Sequence, residues 1–380
     1  MPRPYSPDAL RRWPDVEAPG LLASDAADRL ILDESAGARS AAPAGTIVVI
    51  GDGHGALTLG AADAGATGIR VHQDPLAGEL ALAANAREFG MSESFRSLPL
   101  DRELVAGARV VLLRLPRALD ALGDIAALIA AHADPDVVVY AGGRVKHMSV
   151  AMNDVLRRSF STLDVTHARQ KSRALIARGP IDGRDPEPRT GSVTVPGLEH
   201  PLSVRAFGGA FAGASLDIGT RFLLEQLTDA GATPSPEGDT IDFGCGTGVI
   251  AAWLAMRHPA LHVLATDQSA AAVASTRATA AANGVAARIE VIRDLGLESR
   301  PSASASFIAL NPPFHAGAAV PGGVAEPLFA EAGRVLAPGG ELWAVWNSPL
   351  AYRSALDRLV GPTRQVARNA KFTVTVSTRD

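Results

Sequence analysis

The chain has 380 residues, is 47% hydrophobic and 20% charged, and carries a formal net charge of −4. That length suggests two domains or three, and that composition excludes a disordered polymer. The mild acidity weighs against nucleic-acid binding through overall charge, although a local basic patch escapes such a sum.

Apolar runs stay short of the roughly 18–20 residues that span a bilayer. The opening residues, with Arg3, Asp8, Arg11, Arg12 and Asp15, lack the apolar core of a signal peptide. One cysteine, Cys245, excludes an internal disulfide framework and a cysteine zinc site, and the nine histidines show no metal-ligand spacing. A soluble cytoplasmic protein without a metal is expected.

In chain order, Ile47-Val48-Val49-Ile50 reads as a buried strand leading into the glycine-rich turn Gly51-Asp52-Gly53-His54-Gly55. A helix-length apolar segment follows, then a second strand ending at Gln73-Asp74. Ala108 to Leu113 is a further strand before Arg114-Leu115-Pro116-Arg117, and Lys171 opens a late strand, Ser172 to Ile176. Between Arg144 and Arg178 eight basic residues (Arg144, Lys146, Arg157, Arg158, Arg169, Lys171, Arg173, Arg178) face two acidic ones, Asp154 and Asp164. A solvated face and an RNA-binding surface account for this segment equally well. Gly179 to Pro188, rich in Pro, Gly and charge, reads as a linker.

The second half repeats the pattern. Thr240-Ile241-Asp242-Phe243 leads into Gly244-Cys245-Gly246-Thr247-Gly248, and the next strand ends at Asp267. Gly51 with Asp74 and Gly244 with Asp267 keep the same offset. A strand from Arg288 ends at Asp294, Phe307 to Leu310 precedes Asn311-Pro312-Pro313-Phe314, Gly339 to Trp346 is a turn and a strand, and Thr363 to Ala367 with Phe372 to Val376 reads as a closing hairpin. The expected fold is α/β, with two tandem Rossmann-like, doubly wound domains: 1–180, a linker at 181–191, and 192–380. The first copy is degenerate. It has Val49 where the second has Asp242, lacks the Asn-Pro-Pro-Phe turn, and carries bulkier Asp52 and His54, of which Asp52 would repel an anionic ligand. It is expected to be a scaffold. A nucleotide site built on Asp74 is the opposing reading, and two cofactor molecules per chain would support it.

Three glycines at alternate positions let the backbone turn tightly and approach a ligand closely. Neither the Gly-x-Gly-x-x-Gly of nicotinamide enzymes nor a Gly-Lys-Ser/Thr phosphate loop is present in this turn. An acid inside it, Asp242, favours a ligand with positive charge, and S-adenosylmethionine (AdoMet) fits with its ammonium and sulfonium groups. Asp267 is placed to accept ribose hydroxyls, and Asp294 to hold an adenine amine. At Asn311 the prolines end the strand, because neither can donate a ladder hydrogen bond. A conjugated exocyclic amine is a poor nucleophile. The Asn311 side-chain oxygen and the Pro312 carbonyl can accept its two hydrogens and aim its lone pair at a methyl group. Phe314 offers a stacking face for a flipped base.

These residues give the second half a resemblance to class I AdoMet-dependent methyltransferases. Asn311-Pro312-Pro313-Phe314-His315 resembles the amine-methylating motif of ribosomal RNA (guanine-N2)-methyltransferases, a family with a degenerate first domain and an active second one. Supporting motifs are Ala206-Phe207, Leu216-Asp217-Ile218-Gly219-Thr220-Arg221 and Asn369-Ala370-Lys371-Phe372. Asp25-Ala26-Ala27-Asp28 and the segment from Ala141 to Arg173 are more similar to the large-subunit (23S) enzyme than to the small-subunit (16S) one. The resemblance implies an AdoMet site of Asp242, Gly244, Cys245, Gly246, Gly248, Asp267, Gln268, Asp294 and Asn311. It implies catalysis by Asn311, Pro312 and Phe314, and rRNA contacts at Pro313, His315, Lys371, Arg157 and Arg158. A monomer acting on rRNA, with the first domain helping to bind it, is expected. Two other readings fit part of the pattern: an N-methyltransferase of DNA adenine or protein glutamine, and a non-catalytic RNA-binding assembly factor.

Overall fold

The apolar runs pair into two sheets of the same topology. The computed structural model describes residues 3–235, 237–313 and 325–380, and the chain divides into two compact units, Met1–Glu187 and Pro188–Asp380. That division falls inside the segment read as a linker, of which Arg189 to Gly191 are already strand-paired in the second unit.

In the first unit the strands are β1 (Ile47–Ile50), β2 (Ile69–His72), β3 (Phe95–Ser97), β4 (Val110–Arg114), β5 (Val138–Arg144), β6 (Phe160–Val165) and β7 (Ser172–Pro180). They lie in the order β3-β2-β1-β4-β5-β7-β6. The helices are α1 (Ala26–Ala41), α2 (Ala56–Asp63), α3 (Leu76–Phe89), α4 (Arg102–Val105), α5 (Leu119–His132) and α6 (Val150–Ser159).

The second unit opens with a hairpin, β8 (Arg189–Val193) and β9 (Leu202–Ala206). Its sheet is built from β10 (Asp239–Phe243), β11 (Val263–Asp267), β12 (Ile289–Arg293), β13 (Ala305–Leu310), β14 (Leu336–Asn347), β15 (Thr363–Arg368) and β16 (Phe372–Thr378). The order β12-β11-β10-β13-β14-β16-β15 repeats the first sheet. Its helices are α7 (Ile218–Asp229), α8 (Val249–Arg257), α9 (Ala270–Ala282), α10 (Ala325–Val335) and α11 (Arg353–Leu359).

The central strands are parallel and covered on both faces, so they read as continuous apolar runs rather than alternating ones. The last two strands of each sheet pair antiparallel to close it. The β8–β9 hairpin escaped the sequence reading because it is short and half polar. It is anchored along α9, where Ser203 N–H donates to Asn283 Oδ1 at 3.0 Å and Arg205 N–H to Thr279 Oγ1 at 3.0 Å.

Strand register fixes which residues of the two copies correspond. Ile50 pairs with Leu113 and Phe243 with Leu310, so Arg114 occupies the place of Asn311. Ile50 also pairs with His72, and Phe243 with Thr266. Gly51 N–H donates to His72 O at 2.9 Å, as Gly244 N–H does to Thr266 O at 2.8 Å. The counterpart of Asp267 is therefore Gln73, not Asp74. The matching offset in sequence was a coincidence: α2 has 8 residues and α8 has 9, which shifts the first copy by one.

Candidate active site

The site lies at the carboxyl ends of β10, β11 and β13, where an open parallel sheet presents its loops. Gly244, Gly246 and Gly248 take φ of 76°, 55° and 77°, left-handed values that strain any residue with a Cβ. A Cβ on Gly244 or Gly246 would meet no described atom within 4 Å, whereas one on Gly248 would strike Thr276 on α9. The turn is thus open at its first two glycines and packed at its third. Cys245, between the first two glycines, turns its side chain away from the open face. Its thiol is buried in the core and accepts from Thr276 Oγ1 at 3.2 Å, so the residue offers the turn's open side only backbone.

Asp267 ends β11 and holds this geometry. Its Oδ2 accepts Gly246 N–H at 3.0 Å and its Oδ1 accepts Ser269 N–H at 2.9 Å. The neighbouring Gln268 is exposed. Asp294 is buried, and its Oδ2 accepts from Ser299 N–H at 3.1 Å and Ser299 Oγ at 2.7 Å. Asp242 is fully buried behind the turn. Its Oδ2 accepts Ala251 N–H at 2.9 Å, while its Oδ1 has no partner among the described residues. Burial pushes its carboxyl up to about 7; the Ala251 bond opposes that rise and the nearby Asp267 charge adds to it. Two carboxylates and an open backbone turn fit a ligand that is cationic at one end and has ribose hydroxyls at the other, as AdoMet does.

Asn311 sits one residue past β13. Its amide nitrogen donates to Asp217 Oδ2 at 3.0 Å and to Thr220 Oγ1 at 2.9 Å. A carboxylate can only accept, which fixes the orientation of the amide. Asn311 Oδ1 is then left buried without a donor among the described residues, a state that costs about 1–3 kcal/mol until a donor arrives. Pro312 is buried and Pro313 exposed. Phe314 and His315 lie outside the described residues.

Two of the three supporting motifs, Leu216 to Arg221 and Asn369 to Phe372, converge here. Asp217 caps the N-terminus of α7 through Thr220 N–H at 2.9 Å. A Cβ on Gly219 would lie 3.2 Å from the Phe372 ring and 3.6 Å from Asn311 Oδ1. Asn369 Oδ1 accepts Lys371 and Phe372 N–H, both at 2.8 Å, which turns the β15–β16 hairpin and places exposed Lys371 beside Phe372. Asp217 carries an N-cap signature in sequence, but nothing there links it to a residue 94 positions away.

The corresponding place in the first unit is filled. Arg114 pairs with Asp25 and Asp28, each at 2.8 Å. Gln73 donates its amide to Asp52 O and to Gly78 O. Asp52, expected to repel an anion, is instead buried: it caps α2, accepting Gly55 N–H at 3.1 Å and Thr58 N–H and Oγ1 at 2.8 Å. Asn85 joins Arg11 O and His54 O, drawing the N-terminal segment onto this turn. Arg157 and Arg158 are exposed on the last turn of α6, with Arg157 3.5 Å from Asp154. Among the described residues no cluster of three or more His, Cys, Asp or Glu could hold a metal, and no helix is long and apolar enough to cross a membrane.

Comparison with known proteins shows the family and the fold. Residues 4–180 match the RLMG N-terminal domain and residues 201–376 the Methyltransferase small domain. Ribosomal RNA large subunit methyltransferase G of Streptomyces avermitilis is 34% identical over 380 residues, covering 98% of this chain and 97% of the relative. The protein of the same name from Pseudomonas aeruginosa is 32% identical over 375 residues, with 98% and 97% covered. A solved structure, the T. thermophilus 16S rRNA N2 methyltransferase in complex with AdoMet and guanosine, shares the fold with a TM-score of 0.75 at 20% identity, covering 96% of this chain and 97% of that one. With matches at this identity running from end to end, the chain belongs to the ribosomal RNA large subunit methyltransferase G family.

Proposed function

We propose that the chain methylates the exocyclic N2 of a guanine in large-subunit (23S) ribosomal RNA, with AdoMet as methyl donor. The observation that carries the reading is the Asn311 amide. Both its N–H groups are consumed inside the protein, and its buried Oδ1 lacks a donor among the described residues. An exocyclic amine supplies that donor. End-to-end relatives named for the large ribosomal subunit favour 23S over 16S, and the structural neighbour that holds guanosine acts at N2 of its own rRNA.

When bound, AdoMet supplies a methyl group on a cationic sulfur. Asp242 and Asp267 would counter its positive charge and receive its ribose, and the backbone of Gly244 and Gly246 would make room for it. Asn311 Oδ1 and the Pro312 carbonyl would each accept a hydrogen bond from the guanine amine, turning the nitrogen lone pair toward the methyl carbon; the N–C bond forms as the S–C bond breaks, and the methylated amine then sheds one proton to solvent. Fixing that geometry converts a two-body encounter into a single oriented step.

In this reading the first unit contributes RNA affinity. Arg117, Lys146 and Lys171 are exposed and Arg144 and Arg173 half-buried, none with a carboxylate partner among the described residues. Strand pairing brings Arg144 beside Ser172, next to Lys171 and Arg173. Slight desolvation and then the charges of Arg117, Lys146, Arg144 and Arg114 hold the exposed His147 imidazole below its usual range. By contrast, Arg169 pairs with Asp33 and Arg178 with Asp164. The protein acts as a cytoplasmic monomer on this account.

Substituting Asn311 tests the reading. Asn311→Ala is expected to abolish methyl transfer to rRNA while AdoMet affinity, measured by calorimetry, stays close to wild type. Full activity of that variant on a verified substrate refutes the proposed role of the turn.

A further inference from the structure

Asn311 can do its work only if its oxygen, and not its nitrogen, faces the amine. A side-chain amide rotates easily about its last torsion, and the two ends are nearly equal in size. What sets the orientation is the first turn of α7, far away in sequence. Asp217 Oδ2 stands 3.0 Å and Thr220 Oγ1 2.9 Å from Asn311 Nδ2. Thr220 is buried. The backbone of Gly219, between them, leaves room that a Cβ would reduce, with Asn311 Oδ1 3.6 Å from such an atom.

Asp217 also caps α7, so a purely structural role has to be weighed. The first unit makes the comparison. There the cap residue of α1, Asp25, and Asp28 three positions on occupy the places of Asp217 and Thr220, and both reach the residue at the Asn311 position. That residue is Arg114, and the contact closes as an ion pair. In the second unit the same carboxylate meets a neutral amide and has no cationic partner among the described residues. The contact in the first unit neutralises charge. In the second it leaves the Asn311 oxygen as an oriented acceptor.

We propose that Asp217 and Thr220 are positioning residues for methyl transfer, locking the Asn311 amide with Oδ1 toward the substrate amine. This rests on the reading of Asn311 given above. Among the described residues the Asp217 carboxylate hydrogen-bonds Asn311 and the α7 backbone and the Thr220 hydroxyl hydrogen-bonds Asn311, so both act through that amide.

The test compares Asp217→Ser, Asp217→Asn, Thr220→Val and Asn311→Ala in the full chain, with rRNA methylation kinetics, AdoMet calorimetry and thermal melting. Serine still caps α7 but is too short to hold Asn311, whereas asparagine keeps an acceptor oxygen in reach. Asp217→Ser and Thr220→Val are expected to lower kcat by at least about tenfold, with AdoMet affinity within about twofold of wild type. Asp217→Asn is expected to recover most of the loss. A kcat for Asp217→Ser within about twofold of wild type overturns the proposal. So does a loss of kcat matched by a loss of folded protein, or an Asp217→Asn variant no better than Asp217→Ser. Inactive Asn311→Ala beside active Asp217→Ser refutes the positioning role alone; active Asn311→Ala refutes the reading on which it rests.

Discussion

Gly246 and Gly248 stand two positions apart in one turn, both left-handed, yet alanine is expected to harm them in different ways. A Cβ on Gly248 would lie 2.8 Å from Thr276 Cγ2 and 2.9 Å from Thr276 Cα, so α8 and α9 would have to separate. The left-handed conformation costs a residue with a Cβ about 1–2 kcal/mol, and overpacking adds about 1–3 kcal/mol. Gly248→Ala therefore loses roughly 2–5 kcal/mol of stability. On Gly246 the added carbon meets no described atom within 4 Å, so only the conformational cost applies. For a unit of this size each kcal/mol lowers Tm by about 2–4 °C, which puts Gly248→Ala about 10 °C down and Gly246→Ala about 5 °C. Binding is expected to follow a different order. The Gly246 methyl enters the space assigned to AdoMet, and a clash of only 1–2 kcal/mol lowers affinity by about tenfold or more. Scanning calorimetry and titration calorimetry of the full chain measure both effects. Wild-type AdoMet affinity in Gly246→Ala would refute the placement of the cofactor over the open glycines.

Two further predictions concern charge. Asp242 has its folded pKa raised, by burial first, to about 7. Its contribution to stability is therefore full below the unfolded value, near pH 4, and is lost as pH rises through about 7. Asp242→Asn is expected to flatten that part of the melting profile of the unliganded protein, and also to flatten a rise in AdoMet affinity through the same pH range. Identical pH profiles in both proteins would contradict the role given to Asp242. Charge reversal at Arg144 and Lys146 is expected to weaken rRNA binding and reduce the slope of log affinity against log salt by about 2, whereas reversal at ion-paired Arg178 changes it little. Filter binding across a salt series reads this, and an unchanged slope for the first pair would mark the patch as a solvated face.

Much of the architecture was legible because parallel strands buried on both faces write themselves as uninterrupted apolar runs, twice, with glycine turns between. The degenerate state of the first copy was legible too, from Val49 and Arg114. How its site is filled was not. Gln73 takes the place of Asp267 only because α2 is one residue shorter than α8, and helix length is set by packing that no local pattern shows. Asp52 looked like a charge facing a ligand, but a carboxylate four residues before a helix start finds backbone N–H donors and turns inward. In the second copy the sequence reading stopped at Asn311. Its dependence on Asp217 and Thr220 joins segments more than 90 residues apart, a contact that exists only once α7 packs against β14 and β16.

Nucleoside mass spectrometry of ribosomal RNA from cells lacking this chain, restored with wild type or with Asn311→Ala, tests guanine-N2 methylation at its product. N2-methylguanosine in 23S rRNA is expected to fall on deletion, to return with wild type and to stay low with the variant. Unchanged N2-methylguanosine in 23S rRNA, or loss of a different methylated base, would contradict it.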